Sequence, residues 1–201
     1  MPQFGLRGIK AAKYVNTNGT ISYTDKTAVG DAITANLELR FAEGRLYSED
    51  MLAEYMRHAI GGTISIGVKY IKQAAQTLLF GSTTASRTIS YQPAGGATTT
   101  VTATSVVTGG KTEGNYVGLA FYAPDMVDGV KKYTCILVKK TLFGPPAMSL
   151  QTMNESITFQ TPTTSGEFLA DDSADKNLYE IAEVDAEEAA IAWVDAVLGG
   201  T

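Results

Sequence analysis

Two stretches of this chain alternate apolar and polar residues with a period of two. From Ala32 to Phe41, Ile33, Ala35, Leu37, Leu39 and Phe41 interleave with Thr34, Asn36, Glu38 and Arg40. From Gly61 to Ile71, Ile64, Ile66, Val68 and Tyr70 interleave with Thr63, Ser65, Gly67 and Lys69. Because successive side chains of a strand point to opposite faces, each stretch predicts a long strand with one buried and one polar face. Polar faces of this kind suit a water-lined channel or the solvent side of a sandwich sheet equally well.

Three further runs, Tyr116–Tyr122, Val130–Phe143 and Glu155–Thr161, are rich in β-branched and aromatic residues and end in Gly, Pro or Asp. They predict a meander of strands. Asp128-Gly129 marks a tight hairpin turn, since glycine accepts positive φ, and Asn18-Gly19 marks another between strands near 8–15 and 20–24. Pro124 has no N–H to give to a ladder, which places its part of the first run at an edge or a bulge. Residues 82–113 are rich in Thr, Ser and Gly, with strand-like pieces at Thr88–Tyr91 and Thr99–Val107, and predict an edge or flexible hairpin.

Helical spacing is confined to three places. Lys72–Phe80 carries Ala75, Leu78 and Leu79 on one stripe, with Gly81 as its stop. Asp185–Leu198 has acids in its first turn, Asp185 and Glu188 at capping-box spacing, and Gly199-Gly200 at its end. Its apolar stripe would cover the sheet of its own subunit or clasp a neighbour. Met51, Leu52, Tyr55, Met56 and Ala59 also lie on one helical face, with Ser48 as a possible cap. This third stretch remains open between helix and loop on local pattern.

The chain has 201 residues, 44% of them hydrophobic and 18% charged, which suits one globular domain with a sizeable core. No apolar run approaches the roughly 20 residues of a membrane span, so membrane insertion is not expected. MPQFGLRGIK lacks the apolar stretch of a secretory leader. The net charge of −5 is unevenly spread: from Glu167 onward the chain is −9, and the preceding 166 residues are +4. We therefore divide it into a β domain over 1–170 and an acidic segment over 171–201 with a helix at 185–198. The acidic end is a solvated face or partly mobile tail, or it docks on a basic patch of another copy.

Chemistry-bearing patterns are sparse. His58 is the single histidine, and Ser65 lacks the glycine that a nucleophile elbow requires two positions earlier. Cys135, alone and in mid-strand, excludes an internal disulfide and suits a buried structural thiol. Asp171, Asp172 and Asp175 could approach a calcium ion but lack the glycine and bidentate glutamate of an EF-hand loop. Paired carboxylates cannot be singled out among 21 acids. The basic pairs Lys131-Lys132 and Lys139-Lys140 lack the interleaved aromatics of a nucleic-acid binder and suit contacts to acids of another copy. No catalytic, cofactor-binding or metal-binding residue is assigned, and the chain is not expected to be an enzyme.

YVGLAFY (116–122), the Lys-Lys-Tyr strand, KKTLFGPP (139–146) and SITFQTPTTSGEF (156–168) together resemble the second half of the major tail proteins of long-tailed bacteriophages. EGRLY (43–47), Asp50 and GGTISIGV (61–68) resemble the first half, in the same order. The resemblance covers about 30–81 and 115–168; the 82–113 insertion and the acidic C-terminal helix depart from it. It implies a mainly β (α+β) subunit, a β-sandwich or partial barrel with a flanking helix. It further implies hexameric rings whose sheets join into one barrel and stack into a tube. Partners would be other copies, a tape measure protein and a tail terminator. Genome DNA would pass through the bore without specific binding. The location would be the virion tail, after synthesis in the host bacterial cytoplasm.

On that resemblance a long loop at 43–60, at most a helical turn or two over 48–59, reaches the adjacent ring through Glu43, Leu46, Tyr47, Asp50 and Glu54. The 61–71 strand closes the ring through Ile64, Ile66, Val68 and Tyr70. Glu38, Thr63, Ser65 and Gln160 face the lumen, because a bore dense in Lys or Arg would hold phosphates. The rival readings are the tube of a contractile tail or bacteriocin, and a monomeric carbohydrate-binding β-sandwich. The single Trp193, placed on a helix, speaks against the latter.

Overall fold

The computed structural model describes residues 5–127, 129–147 and 161–199. Its strands are β1 (Arg7–Thr17), β2 (Thr20–Ala28), β3 (Ala32–Ser48), β4 (Met51–Val68), β5 (Thr83–Tyr91), β6 (Thr99–Val107), β7 (Tyr116–Val127), β8 (Val130–Phe143), β9 (Thr163–Leu169) and β10 (Tyr179–Val184). Helix α1 (Gln73–Phe80) follows β4, and α2 (Glu187–Val197) follows β10. The fold is mainly β with a flanking helix and a C-terminal helix. Among the described residues, eight strands form one antiparallel sheet in the order β2-β1-β7-β8-β9-β4-β3, with β10 also paired to β8, while β5 and β6 pair only with each other.

Turn chemistry sets the registers. Asn18 and Gly19 both take positive φ between β1 and β2, and the Gly19 N–H donates to Asn16 Oδ1 at 2.8 Å. Between β7 and β8, Val127 pairs with Val130 and Gly129 sits at φ +80°. Pro124 lies past the last β1 rung at Tyr122, on a length of β7 paired to β8 alone among the described residues. These places agree with the turn and edge signals in the sequence.

The 48–59 stretch is neither helix nor loop. β3 and β4 stay paired from Ala32↔Val68 out to Ser48↔Met51, and Glu49 and Asp50 turn the chain with φ of +52° and +61°. Positive φ at both central residues gives the two-residue turn whose twist matches its strands. A helix over 51–59 would leave the outer half of β3 unpaired on both edges, whereas the hairpin satisfies one edge of each strand. Pairing with a neighbour already in place therefore outweighs the local helical spacing.

The sheet curls so that β3 faces β7 and β8 across a groove of about 820 Å³ lined by Ile33, Ala35, Leu37, Phe121 and Ile136. The main core fills its concave side with Ile9, Val29, Ile64, Ile66, Val68, Val117, Leu119, Val138 and Phe168. α1 caps that core with Ala75, Leu78, Leu79 and Phe80. It ends at Gly81, whose φ of +65° is the left-handed C-cap the sequence signals. Asn115 Nδ2 donates to the Leu78 carbonyl at 2.8 Å and satisfies an acceptor in the last turn.

A second apolar cluster lies under α2, where Ala190, Val194 and Leu198 meet Ala12, Ala120, Tyr122, Tyr133, Cys135 and Leu137. α2 thus covers its own subunit. Its N-cap is Ala186, without a side-chain cap bond, so the capping box of Asp185 and Glu188 does not form. Asp185 lies instead 3.7 Å from Lys132 Nζ. The acidic segment is no tail, because β10 pairs with β8 from Tyr179↔Val138 to Val184↔Tyr133. The expected strand at Glu155–Thr161 lies outside the described residues apart from Thr161, and the described strand of that region starts at Thr163.

Candidate assembly surfaces

On β3, β4 and β9 the face turned away from the core is polar. Asn36, Ser65 and Ser165 form one cross-strand row, and Glu38, Thr63 and Glu167 form the next. Ser165 Oγ donates to Ser65 Oγ at 3.2 Å, and Arg40 Nη2 to Glu167 Oε1 at 3.0 Å. Glu38 and Thr63 are exposed and Ser65 is partly so, while Leu37, Ile64, Ile66 and Phe168 fill the opposite face. The structure therefore brings Glu38, Thr63 and Ser65 onto one uncovered surface. Gln160, expected with them, lies outside the described residues.

The lysine pairs are engaged elsewhere. Lys132 reaches Glu183 at 2.6 Å, Lys139 reaches Asp171 at 3.6 Å, and Lys140 reaches Asp172 at 2.8 Å. Lys131 lies 5.1 Å over the Tyr133 ring. Three of these four are thus partnered by the chain's own acidic segment, which corrects the expectation that they receive acids of another copy.

Ile64, Ile66 and Val68 are fully buried in the subunit's own core. The backbone of 62–67 is paired on both sides, to β3 and to β9. This stretch has no free edge to close a ring, and Tyr70 stands half-exposed beyond the end of β4. Alternation identifies a buried face but says nothing of which strand is central. Among the described residues the sheet's free borders include β3 along its 17 residues, the arm half of β4, β2 and β10. Such unpaired N–H and C=O rows are ready sites for another strand.

Beyond the body, the outer halves of β3 and β4 form an arm over Phe41–Ile60. Glu43, Leu46, Tyr47, Asp50 and Glu54 all lie on it, exposed. One face is tied internally: Glu43 bridges Arg45 at 3.3 Å and Arg57 at 3.5 Å, and the Arg57 guanidinium lies 3.7 Å over the Phe41 ring. The other face carries Leu46, Glu54 and Met56, from the rungs Leu46↔Glu54 and Gly44↔Met56. Met51 and Met56 are 73% and 74% exposed, the largest fractions among the exposed large hydrophobics. An isolated two-stranded ribbon is marginal in water, and this one offers a run of apolar side chains that the body does not use.

Helix α2 is pinned by charge as well as by packing. Arg7 reaches Glu187 at 2.6 Å, Tyr122 Oη donates to the same carboxylate at 3.0 Å, and Asp195 accepts from Lys10 at 2.6 Å with Lys26 at 3.0 Å. The Arg7 bond, then that of Tyr122, holds the Glu187 carboxyl below its ordinary range. Lys10 chiefly does the same for Asp195, and Lys140 for Asp172. Burial, then the bond to Glu187, pushes the Tyr122 hydroxyl up to about 12.

A carboxylate whose folded value is depressed adds stability above its unfolded value of about 4 and loses it as pH falls through the folded one. Melting temperature should therefore be level near neutrality and drop as pH falls below about 4. Asp195→Asn should flatten part of that drop and lower Tm by about 2–4 °C at pH 7, the scale of a partly exposed ion pair. Thermal melts across pH check this, and an unchanged profile in the variant would sink it.

The remaining candidates resolve into structural roles. Cys135 is buried beneath α2, with its thiol value raised by burial, and His58 is exposed on the arm, so the two form no nucleophile–base pair. Asp171 is buried and accepts N–H bonds from Ser173 and Asn177 and the Ser173 hydroxyl, so its carboxylate staples a loop. Among the described residues no group of three His, Cys, Asp or Glu is placed to hold a metal ion, and no helix is long and apolar enough to cross a membrane. Trp193 is half-buried against the cluster under α2. No family model matches the chain, and no curated protein matches it.

Proposed function

We propose that this chain is a structural subunit of a phage tail tube, assembling into hexameric rings that stack into the conduit for genome DNA. The observation that carries this reading is the border of β3, a 17-residue strand paired on one side only among the described residues, beside a polar face that none of them covers. A second copy offering its β2 or β10 border would satisfy those backbone groups, and a closed cycle of such head-to-tail contacts leaves no edge bare. Strands pooled from several chains make a barrel wide enough to hold water, since width grows with strand number.

The polar face of β3, β4 and β9 suits the inside of such a barrel. Its hydroxyls and amide can be wetted, and Arg40 is occupied by Glu167, so the face has little means of gripping phosphates. The resemblance in residues 30–81 and 115–168 points the same way, and it brings the tape measure protein, the terminator and the virion as setting. A carbohydrate-binding module fits less well, because Trp193 packs inward rather than presenting its ring on a sheet face. Negative-stain microscopy and sedimentation of the purified chain at rising concentration test the proposal. Hollow rings or tubes are expected, and uniform monomers at every concentration would overturn it.

A further inference from the structure

The β5–β6 hairpin is a second ribbon with no place in the main sheet. Its rungs Ser86↔Thr104, Thr88↔Thr102 and Ser90↔Thr100 line the outer part of one face with hydroxyl side chains, with Val106 on that face nearer the root. The other face bears Arg87, Ile89, Tyr91 and Val101, the last three between 42% and 49% exposed. The hairpin is held at its root, by the Ser82–Thr108 hydroxyl bond of 2.7 Å and by Gln73 Nε2 donating to the Thr104 carbonyl at 3.2 Å. Nothing within the described residues covers its apolar face.

Its root and the arm lie at opposite ends of β3–β4. α1 begins at the corner where Lys72 N–H donates to the Val29 carbonyl and Lys69 N–H to the Asp31 carbonyl, next to the Ala32↔Val68 rung. The arm turns at the far rung, Ser48↔Met51. The outer arm carries Glu49, Asp50 and Glu54, and the hairpin carries Arg87. None of these four charges is in an ion pair among the described residues.

We infer that the β5–β6 hairpin is the seat for the β3–β4 arm of a second copy, with Ile89 and Val101 against Leu46 and Met56, and Arg87 against Glu54. This rests on the tube reading and names the partner surface of its stacking contact. Both faces combine apolar side chains with charge of opposite sign, and each ribbon is marginal alone. Because the two surfaces differ and sit at opposite ends, the contact repeats head to tail and extends along one axis.

Disulfide trapping tests the docking directly. With Cys135 buried, Met56→Cys together with Ile89→Cys should give a ladder of covalent multimers on mild oxidation, whereas either substitution alone stops at dimers. Charge exchange supplies the second arm: Glu54→Arg or Arg87→Glu alone should lower tube mass at least tenfold, and the double variant should restore it. Circular dichroism melts equal to the original chain confirm that the variants fold. Tubes formed by the original chain, with no ladder and no effect of Arg87→Glu, overturn the docking alone. A ladder from a chain that never forms rings keeps the docking and overturns the tube.

Discussion

Excising Gly44–Met56 and joining Glu43 to Arg57 through Asn-Gly should give a chain that folds normally and no longer assembles. The junction keeps the Glu43↔Arg57 rung and supplies a turn whose positive φ values suit a two-residue hairpin. Little stability should be lost. The removed residues are exposed on both faces and contribute nothing to either buried cluster, so Tm should stay within about 4 °C, the span of roughly 1 kcal/mol at this size.

Assembly is another matter. Leu46, Tyr47, Met51, Leu52, Tyr55 and Met56 are all exposed large hydrophobics, and fully burying one such side chain is worth about 1.5–3 kcal/mol. Losing even three of them at each contact raises the concentration needed for assembly by about a thousandfold or more, at tenfold per 1.4 kcal/mol. Sedimentation velocity and negative-stain microscopy read the outcome. Tubes of ordinary length from the excised chain would remove the arm from any stacking role.

Much of the body was legible because its signals are local. Ala32–Phe41 and Gly61–Val68 are strands because alternation over one face is a property of neighbouring residues. Gly81 ends α1 because only a residue tolerant of positive φ fits there. The arm was hidden, since Met51, Leu52, Tyr55 and Met56 fit a helical stripe and only the presence of β3 alongside decides against it. β10 escaped notice because Tyr179–Val184 is a short, acid-containing run whose pairing partners lie 41 to 51 residues earlier in β8.

The charge of −9 from residue 167 onward was visible, but its destination was not. Glu187 and Asp195 meet Arg7 and Lys10, residues at the other end of the sequence. The 61–71 strand, expected at a ring border, lies inside the sheet for a related reason. Ile64, Ile66 and Val68 announce burial, yet whether a strand is central or at a border depends on β9, which no pattern within β4 encodes. The polar face, in contrast, was legible at Glu38, Thr63 and Ser65, because facing away from a core follows from alternation alone.

Gly62→Val should cost about 4 kcal/mol and lower Tm by roughly 8–16 °C, a larger effect than any exposed substitution on this chain. Gly62 sits where the arm leaves the body, between β3 and β9, paired to Leu39 on one side and Phe168 on the other. A Cβ there would press into the Glu38 carbonyl oxygen and stand 2.5 Å from Phe168 Cζ. Neither neighbour can yield cheaply. The first is backbone held in a ladder, and the second is a fully buried ring in the main core.

Gly61 beside it has a φ of +143°, and the register shifts by one residue at Ile60, so the strands kink here as they pass from body to arm. Gly44→Ala is the matched control: a Cβ there meets nothing within 4 Å, and its effect on stability should stay within about 0.5 kcal/mol, or about 2 °C in Tm. Equal melting temperatures for Gly62→Val and Gly44→Ala would mean that β3, β4 and β9 do not lie in contact at this crossing. The polar row of Glu38, Thr63 and Glu167, which depends on those three strands being side by side, would then be lost, and with it the surface proposed for the lumen.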